Sequence, residues 1–187
     1  MARIKQITER DDVAPEYQYL YDRIAQTRGR VAGPYSILLH SPALADRIDA
    51  VSDALRNQTQ LSAEEFVVTA LAVARVKDCL FVWSVQAPNA RRAGVSDAAI
   101  AAIGQRRSDG LSEDQADIVS YVQQLVGANR VDQAIVDRLL ARHGARWLVE
   151  LTATAGHFGL ISGLNNAFEV PPSPQGEALP AVAGASA

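Results

Sequence analysis

The sequence contains very little cysteine, with Cys79 the only one among its 187 residues. One cysteine cannot form an intrachain disulfide, a Cys-X-X-Cys redox pair or a multi-cysteine zinc site. A chain of this length buries roughly two thirds of the surface that it exposes when unfolded, so its core does not depend on crosslinks. We therefore expect one globular domain that packing alone holds together.

The sequence also lacks a strong charge excess and a long apolar run. Its formal net charge of −3 gives no electrostatic footprint for nucleic acid or an anionic membrane. The longest apolar stretch, residues 66–74, is far shorter than the ~20 residues of a membrane-spanning helix. No apolar run with a cleavage site follows Met1, so we expect no secretory signal and a cytoplasmic location. Abundant alanine, and an excess of arginine over lysine, favour a bacterial origin.

Apolar residues recur at helical spacing along most of the chain, and no alternating strand pattern is present. This periodicity predicts an all-α domain of about eight helices. Three helix starts carry a serine cap, before a proline or as part of a capping box: Ser41 with Pro42, Ser62 with Glu65, and Ser112 with Gln115.

The segment after Ser62 is apolar on nearly every side, which is typical of a helix buried all round. We expect this helix to run to about Gln86. It should stop before Pro88, because a proline disfavours helical geometry in the residue that precedes it. The sequence therefore places this helix at the centre of the fold.

Residues 145–166 are predicted to form a long helix that contains Gly156, Gly159 and Gly163. A glycine inside a helix costs ~1 kcal/mol, so three of them indicate close approach of another helix, from this subunit or a second one. The last residues are rich in proline, alanine and glycine. We predict a domain over residues 1–172 and a disordered tail over residues 173–187.

Two segments together resemble the carboxymuconolactone decarboxylase family, part of the alkylhydroperoxidase D-like superfamily. They read LSAEEFVVTALAVARVKDCLFVWSVQAPNARRAGVSDAAIAAI at residues 61–103 and HGARWLVELTATAGHFGLISGLNNAFEVP at residues 143–171. Residues 33–47 and 111–125 are similar to the family's N-terminal segment and middle helix, so the resemblance covers about residues 15–172. It implies an all-helical fold, assembly as trimers or hexamers, and an active site beside the central helix near a subunit boundary.

The chain differs from the peroxidase branch of this family at the positions that carry its chemistry. That branch has an acidic residue early on the central helix, then Cys-X-X-Cys, then a histidine. Here Val67, Val82 and Gln86 replace the acidic residue, the second cysteine and the histidine, while Cys79 matches the first cysteine and Trp83 is retained. The resemblance therefore implies a divergent member without a dithiol.

Cys79 and Gln86 each have a structural and a functional interpretation. A reactive thiol needs a lowered pKa and a resolving partner, so Cys79 is more simply a small buried hydrophobe. A thiol peroxidase is disfavoured for the same reason, unless the Cys79 of a second subunit lies within reach. Gln86 can orient a substrate oxygen but cannot carry a proton, and its alternative role is to close the helix end before Pro88.

The remaining candidates are a histidine, an arginine and a tryptophan. His157 is the candidate for proton transfer, and a core or interface histidine is the alternative. Arg75 interrupts a buried apolar run, so it binds a substrate carboxylate or pairs with an acid such as Glu150 or Asp78. Trp83 either walls a pocket or belongs to the core.

The sequence contains two other histidines, His40 and His143. His40 either contacts substrate or has a local role in capping and packing, and His143 suits the end of a helix. The spacing of the three histidines indicates no metal, and no cofactor is indicated.

Three functions remain open from the sequence. The first is a non-redox carbon–carbon lyase of the decarboxylase type that acts on a small carboxylated or lactone-like substrate. In it His157 transfers the proton, while Trp83, Gln86, Arg75, Cys79 and His40 contact the substrate. The second is a non-catalytic binding or assembly protein, and the third, disfavoured, is the thiol peroxidase.

Overall fold

The computed structural model describes residues 2–182, and the all-α prediction is confirmed, with eight α-helices and no strand in that range. The helices follow one another in the order α1 (Gln18–Arg28), α2 (Pro34–Leu38), α3 (Pro42–Asn57), α4 (Ala63–Val76), α5 (Leu80–Arg92), α6 (Asp97–Gly104), α7 (Glu113–Ala128) and α8 (Gln133–Ala167). Two short 3-10 turns, Arg10–Asp12 and Pro15–Tyr17, precede them. None of the described helices has the length and apolar character that spanning a bilayer requires.

Helix α4 lies at the centre of the fold, where α5, α6, α7 and α8 surround it. Every residue of its second half up to Arg75 is buried. The predicted capping box starts the helix: Ser62 accepts the Glu65 N–H, and Glu65 accepts the Ser62 N–H. The predicted central position of this helix is therefore correct.

The predicted single helix up to Gln86 is wrong, because the chain breaks between α4 and α5 at Lys77, Asp78 and Cys79. Asp78 adopts a φ of +46°, a left-handed conformation that aspartate tolerates better than most residues. Asn166 donates a 2.7 Å hydrogen bond to the Lys77 carbonyl. The break is thus fixed by a contact from α8, which no local sequence signal reveals.

The predicted stop before Pro88 is also wrong, because α5 continues through Pro88 to Arg92. A proline inside a helix removes one backbone hydrogen bond and leaves the carbonyl four residues earlier without its donor. That carbonyl belongs to Ser84, and the Glu177 N–H donates to it over 3.3 Å. The C-terminal segment therefore compensates part of the cost of the internal proline.

Helix α8 joins two predicted helices across a kink at Gly144, whose φ of +85° is non-helical. Farther along, Gly156, Gly159 and Gly163 have no described atom within 4 Å of the place where a Cβ would sit, apart from their own helix and chain neighbours. No other helix within residues 2–182 therefore explains these glycines. Close approach of a helix from a second subunit, the other explanation that the sequence left open, stays a prediction.

The predicted tail falls partly on residues 183–187, which lie outside the described residues. Its first ten residues, 173–182, have no helix but contact the helical body through hydrogen bonds. Arg75 Nη1 donates to the Pro180 carbonyl over 2.7 Å, and Gln105 Nε2 donates to the Ala181 carbonyl over 2.8 Å. The disorder of this segment and the domain limit at residue 172 stay predictions.

The capping box of α4 makes a stability prediction. Replacing Ser62 by alanine removes the acceptor of the Glu65 N–H, and we expect the free energy of unfolding to fall by about 1 kcal/mol in denaturant titrations. Ser41 occupies the same position before α3, but its side chain makes no capping hydrogen bond. Ser41→Ala is therefore the matched control, and equal losses for both variants would contradict this account.

Candidate active site

A cavity of about 550 Å³ lies between α1, α2, α3, α5, α8 and the C-terminal segment. Its wall combines apolar side chains, such as Phe81, Val82 and Ile161, with groups that carry charge or hydrogen bonds. The main polar lining residues are Arg28, Arg30, Tyr35, Ser52, Arg56, Ser84, Gln86, Asn89, Arg92 and His157. This volume suits a small organic molecule with polar substituents.

The cavity carries an excess of positive charge. Four arginines line it, and no aspartate or glutamate among residues 2–182 does so. Arg28 is held by Asp49 and Tyr35, because its Nη2 lies 2.7 Å from both Asp49 Oδ1 and the Tyr35 hydroxyl. Asp49 is nearly fully buried and also pairs with Arg23. This network fixes the Arg28 guanidinium at the cavity wall.

Arg56, on α3, is a lining arginine that lies against an aromatic ring. Its guanidinium carbon lies 5.0 Å above the centroid of the Phe66 ring, and no carboxylate of the described residues lies within 4 Å of it. Burial and the charge of Arg28 lower the pKa of Arg56. Arg56 therefore offers a cation that has an aromatic neighbour and lacks a carboxylate partner.

His157 reaches the cavity from α8. The next residue, Phe158, is buried and meets Phe66 edge to face with ring centroids 5.4 Å apart, which fixes this turn of α8 against α4. Burial, followed by the charges of Arg28 and Arg56, lowers the pKa of His157 to about 4. The imidazole is therefore neutral at pH 7 and can accept a proton or a hydrogen bond.

A second polar group of the wall comes from α5. Gln86 is buried, lines the cavity and accepts a 3.2 Å hydrogen bond from Asn89 Nδ2. Because α5 continues to Arg92, Gln86 does not close a helix end. Its neighbour on the same wall is Val82, so this part of the cavity presents amides and an apolar side chain, none of which exchanges protons at neutral pH.

The structure brings two of the six predicted site residues, His157 and Gln86, to the same cavity, and four lie outside its lining. Cys79 is fully buried before α5, beside Ser162, and burial raises the pKa of its thiol. His40 is exposed, and its Nε2 lies 2.7 Å from the Lys5 carbonyl. These positions give Cys79 a core role and His40 a local one.

Arg75 and Trp83 lie on another side of α4 and α5. Arg75 donates to the Gly104 and Pro180 carbonyls and pairs with Asp78, which matches the predicted ion pair and leaves no role as a carboxylate clamp in this cavity. Trp83 is 2% exposed and packs against Gly104, where an added Cβ would lie 3.1 Å from the indole. Arg75 therefore binds the C-terminal segment to the helices, and Trp83 belongs to the core.

The third histidine belongs to a separate polar cluster. His143 stacks on Trp147 with centroids 3.9 Å apart, and its Nε2 lies 2.9 Å from Asp114 Oδ1. Glu65, Asp114 and His143 each place one ligand atom within 4.8 Å of the others. Glu65 already accepts from Ser62 and Trp147, and Asp114 from Arg142, so hydrogen bonds within the fold explain this cluster.

Sequence reasoning missed the arginines of the cavity. Arg28 and Arg56 lie at the ends of α1 and α3, where basic residues are common because they complement the helix dipole. Their separation by 28 positions gives no motif. Asp53, three residues before Arg56, is an ordinary acidic neighbour at helical spacing, so the sequence around Arg56 gives no signal of a cavity cation.

Comparison with known proteins supports the resemblance seen in the sequence. Residues 42–124 match the carboxymuconolactone decarboxylase family. A peroxidase-related protein from Ralstonia eutropha, described as an alkylhydroperoxidase AhpD core, superposes with a TM-score of 0.77 and 16% identity over 93% of each chain. A variant of the debrominase Bmp8 in complex with 2,3,4-tribromopyrrole gives a TM-score of 0.76 and 16% identity over 94% of this chain and 95% of that one.

A third solved structure, a peroxidase-related protein from Silicibacter, has a TM-score of 0.76 and 14% identity over 93% of this chain and 95% of that one. Identities this low establish a shared fold and nothing about a shared reaction. No curated protein sequence is significantly similar to the chain.

His157 makes a pH prediction. Between its unfolded pKa near 6.5 and its folded pKa of about 4, the unfolded chain binds a proton that the folded protein does not. Stability therefore falls as the pH falls through this window. We expect His157→Gln to flatten the dependence of the unfolding free energy on pH between 6.5 and 4.

The exposed Ser41 supplies the control, because serine does not titrate and Ser41→Ala should retain the wild-type slope. Direct NMR titration of the His157 imidazole checks the same point in the folded protein. A midpoint near 6.5 would show that the cavity does not disfavour the imidazolium.

Proposed function

From the premise that the chain carries the carboxymuconolactone decarboxylase family segment in an AhpD-like fold, we propose a non-redox enzyme that acts on a small carboxylated substrate in the cavity. The observation that carries this proposal is the charge of the wall, with four arginines, no carboxylate among the described residues, and one neutral histidine. Such a wall attracts an anion and places a proton-transfer group beside it.

Recognition of the substrate carboxylate falls to Arg56 and Arg28. Arg56 lacks a carboxylate partner, so an incoming carboxylate gains a charge-assisted hydrogen bond without breaking an existing ion pair. Arg28 is already oriented by Asp49 and Tyr35 and has a buried Nε without an acceptor among the described residues. Pre-orientation lowers the entropic cost of binding.

His157 supplies proton transfer when the anion is bound. The charges of Arg28 and Arg56 help to keep the free imidazole neutral, and a bound carboxylate offsets those charges and so raises the His157 pKa. Loss of carbon dioxide leaves its electron pair on the substrate carbon, and protonated His157 delivers a proton to that carbon. Gln86 orients a substrate oxygen by hydrogen bonding, which is one of the two roles that the sequence left open.

The position of Cys79 argues against a thiol peroxidase. That reaction needs an accessible thiolate and a second thiol, whereas Cys79 is fully buried with a raised pKa. Val82, which replaces the second cysteine, lines the cavity instead. A substrate in this cavity therefore meets an apolar side chain where a dithiol enzyme would have sulfur.

A binding protein without catalysis is the second candidate, and the low pKa of His157 favours it. A base whose pKa is about 4 drives proton abstraction weakly at pH 7. The two candidates differ in one product. An enzyme releases carbon dioxide from the bound carboxylate, whereas a binding protein returns the ligand unchanged.

We propose that the chain assembles as a homotrimer or a hexamer through the face shared by α3 and α8. This face exposes large apolar side chains, including Val51, Val149 and Leu160. It contains a small apolar cavity of about 270 Å³ at Gly156, which His157 also borders. A second copy on this face would cover the cavity and lie next to the proposed proton-transfer group.

The carboxylate site predicts a selective loss of affinity. We expect benzoate or glutarate to raise the melting temperature of the wild type, since a ligand stabilises the native state by mass action. Removing one charged hydrogen bond costs ~1.5–3 kcal/mol, so Arg56→Gln should weaken binding at least ~10-fold. The exposed Arg107, which lies outside the cavity and pairs with Asp109, provides the control Arg107→Gln. Equal loss of affinity in Arg56→Gln and Arg107→Gln would contradict a specific carboxylate site at Arg56, because a non-specific effect of charge would then explain both.

The assembly predicts a mass of three or six copies of the 20.1 kDa chain in light scattering at micromolar concentration. Gly156→Gln should lower that mass while the helix itself gains up to ~1 kcal/mol, because no atom of residues 2–182 outside the helix and its chain neighbours lies within 4 Å of the new Cβ. Ala141→Gln, at an exposed position of α8 on the other side of the Gly144 kink, should leave the mass unchanged. A monomer mass for the wild type would overturn this proposal.

A further inference from the structure

The internal proline of α5 creates an acceptor for a segment from the far end of the chain. Pro88 has no N–H, so the Ser84 carbonyl loses the helical donor that it would otherwise have. Glu177 donates its backbone N–H to this carbonyl over 3.3 Å. Because buried carbonyls without a partner are costly, this bond binds the C-terminal segment to α5.

Ser84 holds the same segment a second time, at its beginning. The Ser84 hydroxyl accepts the Ser173 N–H over 2.9 Å and donates to the Phe81 carbonyl over 2.8 Å. Between the two contacts the chain makes a turn, closed by the Gly176 N–H to the Ser173 carbonyl over 2.9 Å. One buried residue of α5 therefore anchors both ends of residues 173–177.

The turn lies so close to α5 that only glycine fits at position 176. A Cβ on Gly176 would lie 2.3 Å from the Ser84 carbonyl oxygen and 2.6 Å from the Ser84 Cβ. Both are far below contact distance, and the carbonyl belongs to a helix that cannot move away cheaply. The backbone of the turn can therefore lie this close to α5 only while residue 176 is glycine, and a larger residue would push the turn away.

The anchored turn forms part of the cavity wall. Ser173, Gln175 and Gly176 line the cavity, and Arg30 of the same wall donates to the Ser173 hydroxyl over 3.2 Å. An ion pair from Arg91 to Glu177 holds the turn from outside. Gln175 is the one long polar side chain that the turn contributes to the lining.

We infer that residues 173–177 belong to the ligand site and that Pro88 is a positioning residue, which acts through the Ser84 carbonyl to hold this wall over the cavity. Gln175 then contacts the polar part of the ligand that is remote from the carboxylate, and so contributes to selection among carboxylates. This inference rests on the proposed function for the nature of the ligand, but the anchoring is independent of it.

Pro88→Ala tests the anchor because alanine returns an N–H that competes for the Ser84 carbonyl. We expect hydrogen exchange at the Glu177 amide to become about 2- to 10-fold faster, the equivalent of one hydrogen bond, while the unfolding free energy does not fall. Gly176→Ala should give a larger increase because it pushes the turn off α5. Pro172→Ala, at an exposed position before the turn, is the control. Unchanged exchange in both test variants would overturn the anchor.

Diethylpyrocarbonate labelling tests the wall without any ligand. Modification of His157 should become faster in Pro88→Ala and Gly176→Ala relative to the exposed His40 of the same sample. An unchanged rate, with the Glu177 amide exchanging faster, would show that the turn does not cover the cavity.

Affinities for benzoate and glutarate then test the role of Gln175 in ligand binding separately from the anchoring of the turn. We expect Gln175→Ala to weaken glutarate, whose second polar group reaches the turn, more than benzoate, with the unfolding free energy unchanged. Equal affinities in Gln175→Ala and wild type would remove Gln175 from the ligand site. If neither compound binds the wild type, the proposed carboxylate site and the role of Gln175 fail together, whereas exchange and labelling still decide the anchor and the wall.

Discussion

The burial of α4 on all sides is the constraint on which the rest of the structure depends. A helix with an apolar second half can be buried only if other helices cover every face, and here α5, α6, α7 and α8 do so. Helix α5 follows α4 directly in the sequence, so the chain must reverse immediately after α4 if α5 is to pack against it. It does so at Asp78, in a left-handed conformation that Asn166 of α8 supports through the Lys77 carbonyl. This reversal sets the direction of α5, and with it the cavity wall.

The cavity that results has an unusual balance of charge. Arg28 is neutralised in part by Asp49, while Arg56 lies over the face of Phe66 and has no carboxylate of the described residues within 4 Å. Burial, together with the charges of these two arginines, lowers the pKa of His157 and keeps its imidazole neutral. An anionic ligand therefore has three simultaneous effects, because it pairs Arg56, relieves the repulsion between the arginines and favours the imidazolium. The proposed carboxylate site would therefore couple anion binding to proton uptake.

Much of the fold follows from local signals, and the site follows from them only in part. The capping boxes at Ser62 and Ser112 and the apolar stripes depend on neighbouring residues, so the sequence predicts the helices that they start. The break at Asp78 and the passage of α5 through Pro88 depend on partners from the end of the chain. The sequence predicts His157 and Gln86 as site residues because, at both positions, the family that the chain resembles usually has a different residue. Arg28 and Arg56 have no local signal, since only the packing of α1 and α3 brings them to one cavity.

A crystal structure of the protein soaked with benzoate tests the central claim most directly, because it shows both whether the cavity binds a carboxylate and how. The account predicts the carboxylate within hydrogen-bond distance of Arg56, with the ring against Phe81 and Val82. It also predicts that the turn at Gly176 stays closed over the cavity. Benzoate bound only elsewhere on the protein, with the cavity unchanged and empty of ligand, would contradict the assignment of this cavity as a carboxylate site.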